Sequence, residues 1–268
     1  MKSAPKIHLS DVQAVYSGPE GRLWELLMGE QIHLGGLASS LDLAERAGIG
    51  EGQSGVDLCC ALGAGMRFLA RFRKVERMTG VDATSAMLDQ ARRRAADEGL
   101  AGRLSFVEAD VCASGLPGGV FDFVWGEDAW CYVEDKARLI AEAARLVKPG
   151  GTIAFTDWME GRPELSDEEA RRYLGFMKFP NVLGMTEYTA LLNASGCRIR
   201  VSHDTGRFAD HLPLYINMLE KQLTYDALKI IAFDGELAQG LLGEMRFLQA
   251  LAERGKILQG LIVARKDG

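Results

Sequence analysis

The sequence predicts an α/β fold: a seven-stranded sheet with helices on both faces, an N-terminal helical cap and a helical insert before the last strand. Three observations carry this expectation. Between residues 54 and 160 the chain repeats a unit of short apolar run, polar turn and amphipathic stretch, the pattern of parallel strands joined by crossover helices. Two of the apolar runs deliver an acidic residue, Asp82 and Asp110, to a strand end. After residue 160 the repeat gives way to apolar residues at helical spacing, followed by a final apolar run at 258–264. At 268 residues, 47% hydrophobic and 25% charged, the chain can bury a substantial core as a single domain. Its parts are expected at 1–45 (cap), 46–160 (core), 161–206 (helices and sixth strand), 207–256 (helical lid) and 257–268 (last strand).

In VDLCCALGAGMRFLA (56–70), Val56, Asp57 and Leu58 end a buried strand, and the chain turns into a helix near Gly65. Such a turn lets backbone N–H groups approach a ligand, although it also fits an ordinary strand-to-helix corner. RMTGVDATSAMLDQARRRA reads as a strand ending at Asp82 and a helix capped by Thr84 or Ser85. An acidic residue about 25 positions past the first strand is where nucleotide-binding α/β folds hold ribose hydroxyls, while capping alone would also account for Asp82. LSFVEADV brings Asp110 and Val111 to a strand end, where a carboxylate can hold an adenine amino group. The stretch 121–159 holds a strand, a loop carrying Trp125, Glu127, Asp128 and Trp130, a helix, the stop KPGG and another strand. Pro149 and Gly150 end that helix and turn the chain.

Beyond it, 161–196 predicts an acidic-capped helix, an irregular apolar crossing from Phe179 to Met185, and a helix starting at Thr186 that Gly196 stops before the strand CRIRVS. Residues 207–255 predict two or three helices broken near Asp234 and Gly235, and Leu258 to Ala264 the final strand. An insert between the last two strands would lie over the strand ends, where ligands bind in open parallel sheets, so insert and cap would roof a chamber.

The 56–70 segment, Asp82, Asp110 and LVKPGG at 146–151 together resemble the class I S-adenosylmethionine-dependent methyltransferases, over roughly residues 10 to 265. The family's loop runs acidic, any, Gly, any, Gly, any, Gly; framed on Asp57, this chain has Cys59, Ala61 and Gly63. Small residues still permit close approach, but a positive φ becomes costly at 59 and 61. AVYSGPEGRLWELLMGEQIHLGG (14–36), TDWM (156–159) and GKILQGLIVARK (255–266) are similar to small-molecule methyltransferases that include sarcosine/dimethylglycine N-methyltransferases and certain sugar O-methyltransferases. There a Tyr opens the first string and IHxG closes it, here Tyr16 and Ile32-His33-Leu34-Gly35.

The resemblance implies a Rossmann-like sheet, S-adenosylmethionine as cofactor and S-adenosylhomocysteine as its product. It implies a cofactor site of Tyr16, Gly35, Asp57, Cys59, Ala61, Gly63, Asp82, Ala83, Met87, Asp110, Val111 and Glu127. Asp82 would hold the ribose, Asp110 the adenine edge, and the 59–63 backbone the methionine end.

Methyl transfer from a sulfonium needs the attacking lone pair, methyl carbon and sulfur in line, so positioning and exclusion of water carry much of the rate. An alcohol acceptor usually needs a general base, whereas an amine needs only its neutral fraction. Similar sugar O-methyltransferases carry His in the loop after the fourth strand, where this chain has Cys131 and Tyr132. That departure favours an amine nitrogen and leaves Asp128, Asp157 or a lid His as a possible base. Candidate catalytic residues are Asp128, Tyr132, Asp157 and His33, the last as a gate or as a structural His. Trp130, Trp158, Met177, His203, His211 and Tyr215 are expected on the acceptor side, where aromatic faces hold cations; plain packing is the alternative. The function expected is methyl transfer to a small molecule, with O- or C-methylation of a natural product or sugar, and a non-catalytic cofactor-binding protein, as alternatives.

A net charge of −6 and the absence of a long basic block argue against a broad nucleic-acid surface. The start of the chain lacks a secretory apolar core and no run approaches a membrane span, so a cytoplasmic monomer or homodimer without a membrane partner is expected. Cys59, Cys60, Cys112, Cys131 and Cys197 form no CxxC pair or Cys/His metal spacing, and read as reduced thiols. His203 and His211, eight positions apart, are not a helical metal pair, and no metal is expected.

Overall fold

A computed structural model describes residues 7–268 and, as backbone, residues 2–3; the rest of the first six residues of the expected cap lies outside the described residues. The main sheet has seven strands: β1 Ser54–Leu58, β2 Arg77–Asp82, β3 Leu104–Glu108, β4 Phe121–Glu127, β5 Val147–Glu160, β6 Cys197–Asp204 and β7 Ile257–Lys266. Their spatial order is β3-β2-β1-β4-β5-β7-β6. The first five run parallel, and β7 is antiparallel to both β5 and β6. This is a Rossmann-like α/β sheet, and its strand order reverses between β1 and β4, which opens a crevice at their carboxyl ends.

The central strands read as continuous apolar runs because both faces are covered. On one face Val56, Leu58, Val124, Ile153 and Phe155 pack with Leu139 and Ile140 of α6 (Lys136–Leu146) and Tyr188 and Leu192 of α8 (Met185–Ala194). On the other, Phe123, Trp125 and Ala154 pack with α3 (Gly36–Ala47), α4 (Ala64–Phe72) and α5 (Ser85–Asp97) through Leu43, Met66, Leu69 and Leu88. Thr84 occupies the N-cap of α5, as the sequence allowed.

The KPGG string departs from the expected turn. The helix ends at Leu146 and the chain is already extended at Val147, which pairs with Phe121. The register then shifts, and Phe123 pairs with Thr152. Pro149, which has no N–H to donate, and Gly150, at φ 72°, thus lie in an irregularity within β5.

The cap contributes α1 (Leu9–Ser17) and α2 (Pro19–Met28) ahead of α3. Helix α7 (Asp167–Met177) is capped by Ser166, whose side chain accepts from Glu169 N while the Glu169 carboxylate accepts from Ser166 N. The insert is three helices, α9 (Arg207–Asn217), α10 (Thr224–Ile230) and α11 (Gly235–Glu253), with a π turn at Met218–Gln222 and Asp234 capping α11. It buries Phe208, Leu212, Met245 and Leu248 against Leu27 of α2 and Tyr173 and Leu174 of α7. Among the described residues no helix is long and apolar enough to cross a membrane.

Candidate active site

A cavity of about 350 Å³ opens at the carboxyl ends of β1, β2 and β4, a size suited to a small ligand. Tyr16, Asp57, Cys59, Ala61, Asp82, Ala83, Met87, Asp110, Val111 and Glu127 all line it, as do Asp128 and Tyr132. Its roof is Ile7 and α1, through Leu9 and Val12, together with Glu30, Gln31 and Ile32. Gly35, Gly63, His33, Asp157, Trp130, Trp158, Met177, His203, His211 and Tyr215 are not among its walls. None of the insert's residues lines it either, because the insert packs on α2 and α7.

The loop after β1 keeps a glycine-like shape without glycines. Cys59 has φ 66° and Ala61 φ 45°, in the left-handed region that costs a side-chain-bearing residue roughly 1 kcal/mol or more. Tethers offset this strain: the N–H groups of Cys59 and Cys60 both donate to Val81 O at 2.9 and 3.1 Å, and Ala61 N donates to Asp82 Oδ2 at 2.9 Å. Gly63, at φ 68°, starts α4, and a Cβ there would lie 2.9 Å from the Phe106 ring. It therefore shapes the corner from outside the cavity wall.

Carboxylates dominate the electrostatics. Asp82 sits at the end of β2 and accepts from Ala61 N and Thr84 N; burial raises its pKa, and the backbone donors oppose the rise. Burial, then repulsion from Glu127 and Asp82, holds the Asp57 carboxyl well above the usual carboxylate range. Asp110 accepts from Cys112 N at 2.8 Å and faces the same space. Asp128, at φ 50°, accepts Leu34 N at 2.9 Å and Gln259 Nε2 at 2.7 Å on Oδ2, while its buried Oδ1 has no hydrogen-bond partner. A cavity so lined favours a positively charged ligand.

Tyr16 reaches down from α1 and donates to Tyr132 Oη at 2.8 Å, with the rings edge-to-face at 5.4 Å. Burial raises the pKa of both hydroxyls, so both stay protonated at neutral pH and act as donors rather than bases.

Several candidates lie elsewhere. His33 is buried behind the wall, 3.1 Å from Ser40 Oγ and 3.3 Å from Glu127 Oε1. Trp130 is wholly buried, stacks on Phe155 and donates to Leu58 O. Trp158, Met177 and Tyr215 belong to the core beneath the insert. His203 lies on β6, paired in register with Leu261, and His211 Nδ1 lies 3.0 Å from Arg207 O, one helical turn back. Periodicity tells that these residues are covered but not by what. Among the described residues no group of three or more His, Cys, Asp or Glu is placed to hold a metal ion. One contributor passed unnoticed in the sequence, Gln259, although a polar side chain in the apolar run of β7 was the signal for it.

Asp157 is also behind the wall, accepting from Cys131 N at 2.9 Å and Tyr188 Oη at 2.5 Å. Burial pushes its pKa up to about 6, against the pull of Lys136 and Tyr188. Between the unfolded value of about 3.9 and the folded one, the folded state keeps a proton that the unfolded chain has lost. Stability therefore falls as pH rises through that window, by about 3 kcal/mol in all. In urea unfolding, the stability of the wild type minus that of Asp157→Asn should drop by about 2 kcal/mol from pH 4 to 7; a constant difference would refute the assignment.

Comparison with known proteins agrees with this geometry. Residues 56–155 match the family model described as a methyltransferase domain. A probable tocopherol O-methyltransferase from Oryza sativa is 26% identical over 60% of this chain and 49% of its own length, and sterol 24-C-methyltransferases also match. The chain spans about half the length of the curated relatives it matches first. Among solved structures, one assigned as a sarcosine dimethylglycine methyltransferase from Galdieria sulphuraria superimposes with TM-score 0.83 at 18% identity, covering 93% of this chain and 97% of its own. A phosphoethanolamine N-methyltransferase from Haemonchus contortus, bound to phosphomonomethylethanolamine and S-adenosylhomocysteine, gives TM-score 0.85 at 22% identity, covering 96% of this chain and 59% of its own. Residues 56–155 thus match a methyltransferase domain, within a sheet that shares the fold of these solved structures.

Proposed function

We propose that this chain transfers a methyl group from S-adenosylmethionine to the nitrogen of a small amine. The observation that carries this is the charge of the cavity. Among its described lining residues, Glu30, Asp57, Asp82, Asp110, Glu127, Asp128, Glu134 and Asp135 are acidic, against Arg138 and His8 as the basic ones. Relatives methylate oxygen and carbon as well as nitrogen, so the wall of this cavity, not the family, supports the choice of an amine.

The residues fit the cofactor. Asp82 at the end of β2 would hold ribose hydroxyls, Asp110 the adenine edge, and the backbone of 59–63 the methionine end, while Glu127 would offset positive charge. When bound, the cofactor supplies a methyl group on a positively charged sulfur. Asp128 Oδ1, buried and unpartnered, is free to accept an amine N–H and orient its lone pair. Glu127 and Asp128 also stabilise the positive charge that nitrogen gains as it is methylated. Tyr16 and Tyr132 wall the acceptor side with aromatic surface, keep out water and present hydroxyls that stay neutral.

Incubating the protein with labelled S-adenosylmethionine and panels of amines, phenols and sugars is the test. Label should appear on amine nitrogen, and Asp128→Asn should cut that turnover about 10- to 100-fold, as expected for a lost charged hydrogen bond. Label confined to phenols or sugars would overturn the amine assignment, and no binding of S-adenosylhomocysteine at millimolar concentration would overturn methyl transfer itself.

A further inference from the structure

Gln259 lies near the start of β7 with none of its surface exposed, and its side chain uses every hydrogen-bonding capacity it has. Nε2 donates to Asp128 Oδ2 at 2.7 Å and to Leu34 O at 3.1 Å. Oε1 accepts from Thr205 Oγ1 at 2.9 Å and from Arg207 Nη1 at 3.1 Å. Both partners of the nitrogen are acceptors and both partners of the oxygen are donors, so the amide has one orientation. Arg207, the first residue of α9, is held in turn by Asp42 Oδ2 at 2.7 Å. It passes Gly35, where a Cβ would lie 2.6 Å from Arg207 Cδ. The missing side chain at Gly35 is thus the gap through which the insert reaches the site.

We infer that Gln259 is a positioning residue: anchored by Thr205 and Arg207, it fixes the Asp128 carboxylate so that Oδ1 faces the acceptor, and thereby couples the insert to the site it does not line. This rests on the role proposed above for Asp128. Two hydrogen bonds to one oxygen, from Gln259 and Leu34, hold a carboxylate whose residue sits at positive φ, and leave the other oxygen free for a ligand.

A double-mutant cycle on Gln259→Leu and Asp128→Asn tests the inference, using the amine turned over in the panel and S-adenosylhomocysteine binding as control. Gln259→Leu should lower kcat/KM for the amine at least 10-fold, chiefly in kcat. S-adenosylhomocysteine affinity should stay within 2-fold, and the double variant should lose no more than Asp128→Asn alone. Arg207→Gln, at the less buried end of the chain of bonds, should lower kcat in the same way but by less, which keeps the test open if Gln259→Leu folds poorly. Multiplying losses, an unchanged kcat in both variants, or cofactor affinity falling in step with turnover would overturn it. Failure of the role proposed for Asp128 is separate: Asp128→Asn alone would then leave turnover intact.

Discussion

Replacing Asp82 with alanine is expected to weaken S-adenosylhomocysteine binding by about 1–3 kcal/mol, roughly 10- to 100-fold, measured by calorimetry. The carboxylate has two tasks. Oδ2 tethers Ala61 N and Oδ1 tethers Thr84 N, so truncation strips the acceptor from two backbone donors and releases the strained residue at φ 45°. Asp82 also lines the cavity, where its carboxylate is the proposed acceptor for ribose hydroxyls. Asp82→Asn should lose nearly as much as alanine, because its amide nitrogen would meet one of the two N–H donors head on. If Asp82 served only to hold the loop and cap α5, both variants would lose stability while the folded fraction kept its affinity. Unchanged affinity in Asp82→Ala would remove Asp82 from the cofactor site.

The positions of the strands were legible because buried parallel strands leave unbroken apolar runs, and the acidic residues were legible because they interrupt those runs at their ends. Asp57, Asp82, Asp110 and Glu127 all come to one cavity for that reason. The loop was legible in outline only. Nothing local in Cys59 or Ala61 favours positive φ; bonds from Val81 O and Asp82, one strand away, hold them there. The roof was the least legible part. The insert was expected over the strand ends, yet its apolar faces are buried by α2 and α7, and α1 covers the cavity instead. A helical repeat of apolar residues records that a face is covered, not which neighbour covers it. Gln259 shows the reverse case, since a buried amide in an apolar strand must have partners, but only the fold reveals that one of them is Asp128.

Trp130, expected on the acceptor side, should instead behave as a core residue. Trp130→Ala is predicted to destabilise the protein by about 3–5 kcal/mol, the usual range for removing a fully buried aromatic side chain. The ring is wholly buried, lies 4.2 Å from Phe155 at an interplanar angle of 24°, and is seated over Gly126, where a Cβ would come within 2.4 Å of Nε1. Its N–H donates at 3.1 Å to Leu58 O, the last carbonyl of β1 before the cofactor loop. Removing it leaves both a void and a buried carbonyl without that donor, two penalties that surrounding side chains cannot relieve together. Trp130→Phe keeps the stacking and loses the hydrogen bond, so it should cost about 1–3 kcal/mol, separating the two terms. Urea unfolding gives both values. The KM for the acceptor in folded Trp130→Phe should stay within about 3-fold of wild type, because no atom of the ring reaches the cavity wall. A steep rise in KM with stability intact would place Trp130 against the acceptor after all, and with it the loop from Asp128 to Tyr132 in a different arrangement.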